Sequence, residues 1–248
     1  MTTIAWGAIT GNWFGYEAIG KLPGLRNLII PSLDSFNPES AATVQYLCFV
    51  LGTIHISLAH SLQIIEKLKQ KLLSKALAQL GWLVAVLGLY YLVLNVVIDP
   101  VRYPVPNYAL GMIGGGMGLV FLFENQEGDG FFKGILRSLG GLIPTALSGV
   151  SSFSDIISYI RLFAVGLAGI EIAKSFNGMG AEMFESGIGG IIAGVLVVVF
   201  GHTLNLAMAG LSVVVHGVRL NMLEFSSHAG NEWAGFSYEP FRRKTVTQ

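Results

Sequence analysis

Charge is what this sequence has least of. Asp, Glu, Lys and Arg make up 12% of its 248 residues, against roughly 25% in a soluble domain, and the mean hydropathy is +0.62. The runs 43–65, 77–98, 107–123 and 187–218 hold no charged side chain at all. A bilayer core of about 30 Å takes about 20 apolar helical residues, and so many uncharged runs cannot share one water-soluble core. The other absences exclude further classes. The formal net charge is zero, which offers no electrostatic footing for nucleic acid. Cys48 is the single cysteine, so no internal disulfide can form, and in an apolar run it reads as a small lipid- or helix-facing residue. There is no nucleotide-binding motif and none is expected to be needed: the chain itself is not expected to hydrolyse ATP or to hold a cofactor. No metal site is expected either, since His55 and His60 are five residues apart and project about 140° from each other around a helix.

What is present reads as an all-α, polytopic transmembrane protein in three parts. Residues 1–42 look like the end of a truncated membrane helix followed by an external loop. The opening "MTTIAWGAITGNWFGYEAIG" lacks the basic region and cleavage site of a signal peptide, so the chain is expected to be a fragment or half of a split protein. Residues 43–130 hold three transmembrane helices. Residues 131–248 hold an amphipathic lead-in, interrupted by Gly140, Gly141 and Pro144, and then two long helices, the first beginning near Ser151. From 187 to 225 is about 58 Å of helix at 1.5 Å per residue, nearly twice the hydrocarbon thickness, so this segment is expected to tilt, bend or project. Gly111, Gly114–Gly116 and Gly118 sit inside an apolar span, where glycine serves close helix packing and not a phosphate loop.

The lysines and arginines orient these spans. "EKLKQKLLSK" (66–75) separates two of them and, by the positive-inside tendency, is cytoplasmic. Counting outward from it puts 99–106 outside, 124–137 inside, 176–186 outside and "PFRRK" (240–244) inside. Inside segments then carry nine Lys/Arg and outside segments four, counting Lys174 just before 176–186. An integral protein of a prokaryotic plasma membrane with a cytoplasmic C-terminus is expected.

Against this apolar background the polar residues of the last two helices stand out. Ser154, Ser158 and Arg161 recur along one helix beside Asp155; His202, Asn205, Ser212, His216 and Arg219 recur along the next at near-heptad spacing, with Ala209 filling the gap. Lipid cannot satisfy such stripes, so they face other helices or water. Ser and Asn also glue helices together, Glu171 and Lys174 are spaced as an interfacial i,i+3 pair, and Arg219 is placed to snorkel toward headgroups. Arg161 is the hardest to explain by packing, since a permanent charge in a span costs at least ~3 kcal/mol on insertion scales.

The stretch "SDIISYIRLFAVGLAG" (154–169) resembles the "SY-x-RL-x-A-x-x-LA" signature of subunit a, called subunit I in bacteria and archaea, of rotary V/A-type ATPases. "GHTLNLAMAGLSVVVHGVRLNMLEFSS" with "GFSYEPF" is similar to that family's final helix and tail, and "AITGNWFGYEAIG" to an earlier turn of the same membrane domain. The resemblance implies a stator facing a ring of carboxylate-bearing proteolipid subunits, with H⁺ or Na⁺ reaching the carboxylates through two offset half-channels. Its further partners would be central and peripheral stalk subunits, an ATP-hydrolysing head and the lipid bilayer. Arg161 matches the family's essential arginine, which favours the ionised ring carboxylate and so expels its ion. Arg219 matches an assisting arginine. Ser154, Ser158, His202, Asn205, Ser212 and His216 would line ion paths, and Glu224 would stand at the cytoplasmic mouth. Many eukaryotic relatives carry titratable residues at the positions of Gly169 and Ala209, and here Glu171 and His202 are taken as substitutes. Two other readings stay open on the residues alone. A secondary transporter would show paired broken helices in repeated halves, whereas both arginines fall in the last 90 residues. A stand-alone channel would conduct without partners.

Overall fold

A computed structural model describes residues 1–126, 131–231 and Gly235. Among these every regular element is helical. The basic run 240–244 and most of the "GFSYEPF" tail lie outside the described residues.

The helix α1 (Thr2–Thr10) ends at Gly11, whose φ of 69° is the left-handed stop that glycine adopts without a Cβ penalty. A turn through Gly15 (φ 75°) is closed by the Asn12 side chain, whose Oδ1 accepts from Gly15 N–H at 3.1 Å. Gly15 rests against Ala173, where a Cβ would come within 2.7 Å of the alanine methyl. The single turn α2 (Glu17–Gly20) and two short 3-10 turns lead to α3 (Ser40–Lys69). Its end is a Schellman motif: Leu72 N–H donates to Lys67 C=O at 2.9 Å while Lys71 sits at φ 58°. The return helix α4 (Leu73–Val93) runs on through a π-turn to Ile98, and α5 (Asn107–Phe123) follows.

Helices α4 and α5 meet through glycine. A Cβ on Gly116 would lie 2.5 Å from the Gly81 carbonyl oxygen, so the backbones touch where no side chain intervenes. Gly111, Gly114, Gly115 and Gly118 meet no atom within 4 Å, so one glycine of the run carries the packing expected of several.

After α6 (Phe131–Gly140) the chain breaks at Gly141, and α7 (Leu142–Ser158) leads into α8 (Ile160–Phe184). The sequence reading began this long helix near Ser151. It begins at Leu142, because Pro144 falls in the first turn, where a missing N–H costs nothing. The last helix comprises α9 (Ile188–Ser212), two π-turns (Val213–Gly217 and Leu220–Phe225) and the final turn α10 (Ser226–His228).

Among the described residues four helices are long and apolar enough to cross a membrane: Ser40–Lys69, Leu73–Ile98, the 43-residue Leu142–Phe184 and the 41-residue Ile188–His228. Asn107–Phe123 is apolar and shorter. Each of the two C-terminal helices would be about 60 Å long if straight, twice the bilayer core. The buried core gathers Phe49 and Ile56 of α3, Val86, Leu89 and Val93 of α4, Ile156 and Tyr159 of the α7–α8 junction and Leu220 of the last helix. That core therefore surrounds the residues beside Arg161.

Candidate functional site

At Tyr159 the hydrogen-bond ladder between α7 and α8 slips from i→i−4 to i→i−3: Leu162 N–H donates to Tyr159 C=O at 3.1 Å. The Ser158 carbonyl, which a regular helix would have given to Leu162, is thereby freed. Arg161 Nε donates to it at 3.1 Å. The Tyr159 ring lies on Gly52, where a Cβ would come within 2.7 Å, and its hydroxyl is hydrogen-bonded to His55 Nδ1 at 2.6 Å. Phe225 stacks on the other side of His55. The slip and the packed tyrosine fix the start of the Arg161 side chain.

The other end of the arginine meets Glu224. Its guanidinium donates to Glu224 Oε1 at 2.9 Å, and the Ser158 hydroxyl donates to the same oxygen at 2.6 Å. Arg219 Nε stands 3.7 Å from that oxygen. Residues five apart in a regular helix point about 140° away from each other, so Arg219 and Glu224 meet because the π-turn Leu220–Phe225 lies between them. Glu224 is 5% exposed and its Oε2 is buried without a partner, whereas the Arg219 side chain is 55% exposed. Two guanidiniums thus converge on one carboxylate, and the convergent set is left with a surplus positive charge that opens onto the surface.

One helical turn away a second polar rung joins the same helices, with Asp155 Oδ2 and His228 Nε2 at 2.9 Å. Cavities lie to both sides of the Arg161 level along the helix. One of about 450 Å³ runs from Leu162 to Ala173 and includes Asn205, Ala209 and Ser212 of the last helix. Another of about 260 Å³ includes Ser148 and Asp155. A cavity of about 640 Å³ lies between α3 and α8, lined in part by Glu171 and Lys174.

The sequence-derived residues distribute as follows. Ser158, Arg161, Arg219 and Glu224 come together. Asn205 and Ser212 line the 450 Å³ cavity, with Asn205 Oδ1 close against Gly169. His216 is half-buried with its Nδ1 unpartnered, and Ser154 is exposed. His202 does not meet Glu171. Its Nε2 is hydrogen-bonded to Asn177 Oδ1 at 3.0 Å, and Asn177 Nδ2 donates to the Phe14 carbonyl at 2.8 Å, tying the N-terminal turn to α8 and α9. Glu171 pairs with Lys174 at 2.9 Å. Sequence reasoning left out Asn177, His228 and the polar residues around His60, which reach one another from helices far apart in the chain.

The fold is that of a polytopic helical membrane protein, with guanidiniums held against a buried carboxylate among apolar helices, where charge is costly to place. The curated relatives that this chain matches are subunits I of V-type and A-type ATP synthases. The chain is 47% identical over 245 residues to the V-type ATP synthase subunit I of Borreliella burgdorferi, covering 98% of this chain and 40% of that protein. It is 36% identical to V-type ATP synthase subunit I 1 of Treponema pallidum, covering 98% of this chain and 38% of the relative, and 24% identical to the A-type ATP synthase subunit I of Methanocaldococcus jannaschii. The chain belongs to the V/A-type ATPase subunit a/I family and spans about two fifths of the length of these curated relatives. No family model and no solved structure matches it.

Proposed function

We propose that this chain is the membrane-embedded, ion-conducting part of the stator of a V-type rotary ATPase, working within that complex in a prokaryotic plasma membrane with its C-terminus cytoplasmic. The observation that carries the reading is the charge count at Arg161. Two guanidiniums face one buried carboxylate, and the uncompensated charge opens onto the surface of the two least-buried long helices. That surplus positive charge suits a second carboxylate, of the kind a rotating proteolipid ring would present. As a ring carboxylate arrives, the guanidiniums favour its ionised form and its ion leaves. Arginine does not titrate at any pH the protein meets, so Arg161 cannot itself pass a proton across. The cavities to either side of the Arg161 level support two offset paths, one past Asn205, Ala209 and Ser212 and the other past Asp155. Head, stalks and ring supply the nucleotide chemistry and the rotation, and this chain the ion's route.

Glu224 has a place in this scheme beyond the cytoplasmic mouth. It holds Arg161 in position and, lying between them, offsets the repulsion of the two arginines. The test is ATP-driven ion uptake by the reconstituted complex. Arg161→Ala is expected to abolish uptake with the complex still assembled, and Arg161→Lys to restore little of it, since a lysine loses its proton when desolvated and lacks the planar fork. Near-normal uptake in Arg161→Lys contradicts the permanent-charge mechanism.

A further inference from the structure

The 260 Å³ cavity is an open pocket lined by polar groups from five separate elements, among them His60 of α3, Gln79 of α4, Glu124 just beyond α5, Asp155 of α7 and His228 of α10. It lies at the end of the bundle where the lysine-rich 66–75 turn joins α3 to α4. His60 is 4% exposed, its Nδ1 is hydrogen-bonded to Gln79 Oε1 at 2.9 Å, and its Nε2 is buried with no partner. Its ring stands 5.1 Å from that of His228, edge to face, and His228 is in turn held to Asp155. Asp155 is six residues, about 9 Å of helix, from Arg161. His228 is one turn from Glu224. The cavity therefore ends where the arginine site begins.

We infer that His228 and Asp155, with His60 packed against the His228 ring, form a proton relay joining this cavity to the Arg161–Glu224 site, so that the translocated ion is H⁺. The inference rests on the stator reading above and names its substrate. An imidazole takes a proton at one nitrogen and gives one up from the other. His228 accepts a proton from cavity water at Nδ1 and releases the one on Nε2 to Asp155 Oδ2, and a flip of the ring then turns the remaining N–H back toward Asp155 for the next passage. The protonated Asp155 hands it on one turn further, toward Ser158 and Glu224. Only N–H and O–H bonds are made and broken, and the carboxylate is regenerated at each passage. Two imidazoles 5.1 Å apart disfavour simultaneous protonation, which keeps the relay to one proton at a time. The other titratable groups facing the cavity are carboxyls, Asp155 and Glu124. Burial pushes the Glu124 carboxyl up from its ordinary value, against a smaller opposing pull from the Thr145 hydroxyl, which suits it to take up protons at the rim. At the relay itself Gln79 Oε1 and Asp155 Oδ2 are engaged by imidazole nitrogens, and an imidazole that passes a proton from one ring nitrogen to the other carries H⁺ and not sodium.

The test uses the whole reconstituted complex, with proton uptake and radioactive sodium uptake followed during ATP hydrolysis. Wild type is expected to take up protons without sodium. His228→Ala and Asp155→Asn are expected to slow proton uptake on the order of 100-fold, the scale of a positioned proton-transfer group, and His60→Gln to shift its pH profile. Truncating His228 also loosens the end of the last helix, so rescue decides: added imidazole restores uptake in His228→Ala if the ring carries protons. A loss that imidazole does not touch, unaltered uptake in both variants, or sodium uptake without protons overturns the relay. Arg161→Ala separates the two ideas. If it is inactive while His228→Ala pumps normally, the relay alone fails. If Arg161→Ala pumps, the stator reading fails with it.

Discussion

Helices α3 and α4 bury 44% of their apolar stretches inside the protein, whereas the two long C-terminal helices bury 17% and 11%. The four are alike in apolar character, so hydropathy does not separate them; what they pack against does. The first pair closes on α5 and α7 through glycines and a common core. The second pair makes an antiparallel hairpin whose inner seam is polar, from Asn177 and His202 through Asn205 to Ser158, Arg161 and Glu224, and whose outer faces are Leu, Val and Ile left uncovered. In lipid an uncovered apolar face is at no disadvantage. An uncovered guanidinium is, and that is where the hairpin departs from a lipid-facing role.

The largest way to disturb this contrast lies in the seam. Glu224→Gln leaves two guanidiniums in an apolar surrounding with no counter-charge from this chain. Breaking one side of such a pair costs about 3–5 kcal/mol. The expected result is a lower thermal midpoint for the variant and strongly reduced ion uptake by the complex, whereas Ser158→Ala, which removes one hydrogen bond to the same oxygen, should cost about 1 kcal/mol. Equal effects in the two variants would show that Glu224 holds no special place.

A smaller effect is expected from cysteines placed along the last helix in a Cys48→Ser background. Positions 205, 209, 212 and 216 should react with water-soluble thiol reagents, and positions 206, 210 and 214 much more slowly, although these last are exposed in the structure. Their solvent is lipid or a partner helix. Uniform protection would mean that the stripe is dry packing.

The smallest effect concerns the first bundle. Gly81→Ala sets a methyl 2.7 Å from the Gly116 carbonyl oxygen, and overpacking of that kind costs about 1–3 kcal/mol. Gly114→Ala meets nothing within 4 Å and should be neutral or stabilising by up to ~1 kcal/mol from helix propensity. Thermal melting of the purified protein separates the two. Ion uptake should be unchanged in Gly114→Ala.

Much of this was legible in the residues. Uncharged runs marked the helices, since lipid-length apolar segments have few other uses, and Arg161 and Arg219 drew attention to the candidate site because charge on an apolar helix is costly. The pairing of Glu224 with both arginines was not legible, because it depends on a π-turn that changes which residues share a face and on a 3-10 slip at Tyr159 that frees a carbonyl. Helical spacing assumes a regular ladder, and the ladder is irregular at both points. The hydrogen-bond partner of His202 was not legible for a different reason. Its partner Asn177 reaches Phe14 across more than 160 residues, and no periodicity within one helix reports a contact of that range. His60 carried no signal of its own either, since its neighbours come from α4 and α10. Pro144, expected to interrupt a helix, marks the start of one.

The central claim is that the surface at Arg161 receives a carboxylate from a rotating ring, and disulfide crosslinking tests it most directly. Leu162 is 39% exposed beside Arg161, while Leu220, next to Arg219, is packed in the core, so Leu162 is the position to use. With Leu162→Cys in a Cys48→Ser chain and a cysteine one turn from the ring carboxylate, oxidation of the assembled complex should give a stator–ring crosslink in high yield and stop rotation. The same ring cysteine should not crosslink to Leu77→Cys on α4. A crosslink from α4 with none from position 162 would contradict the account.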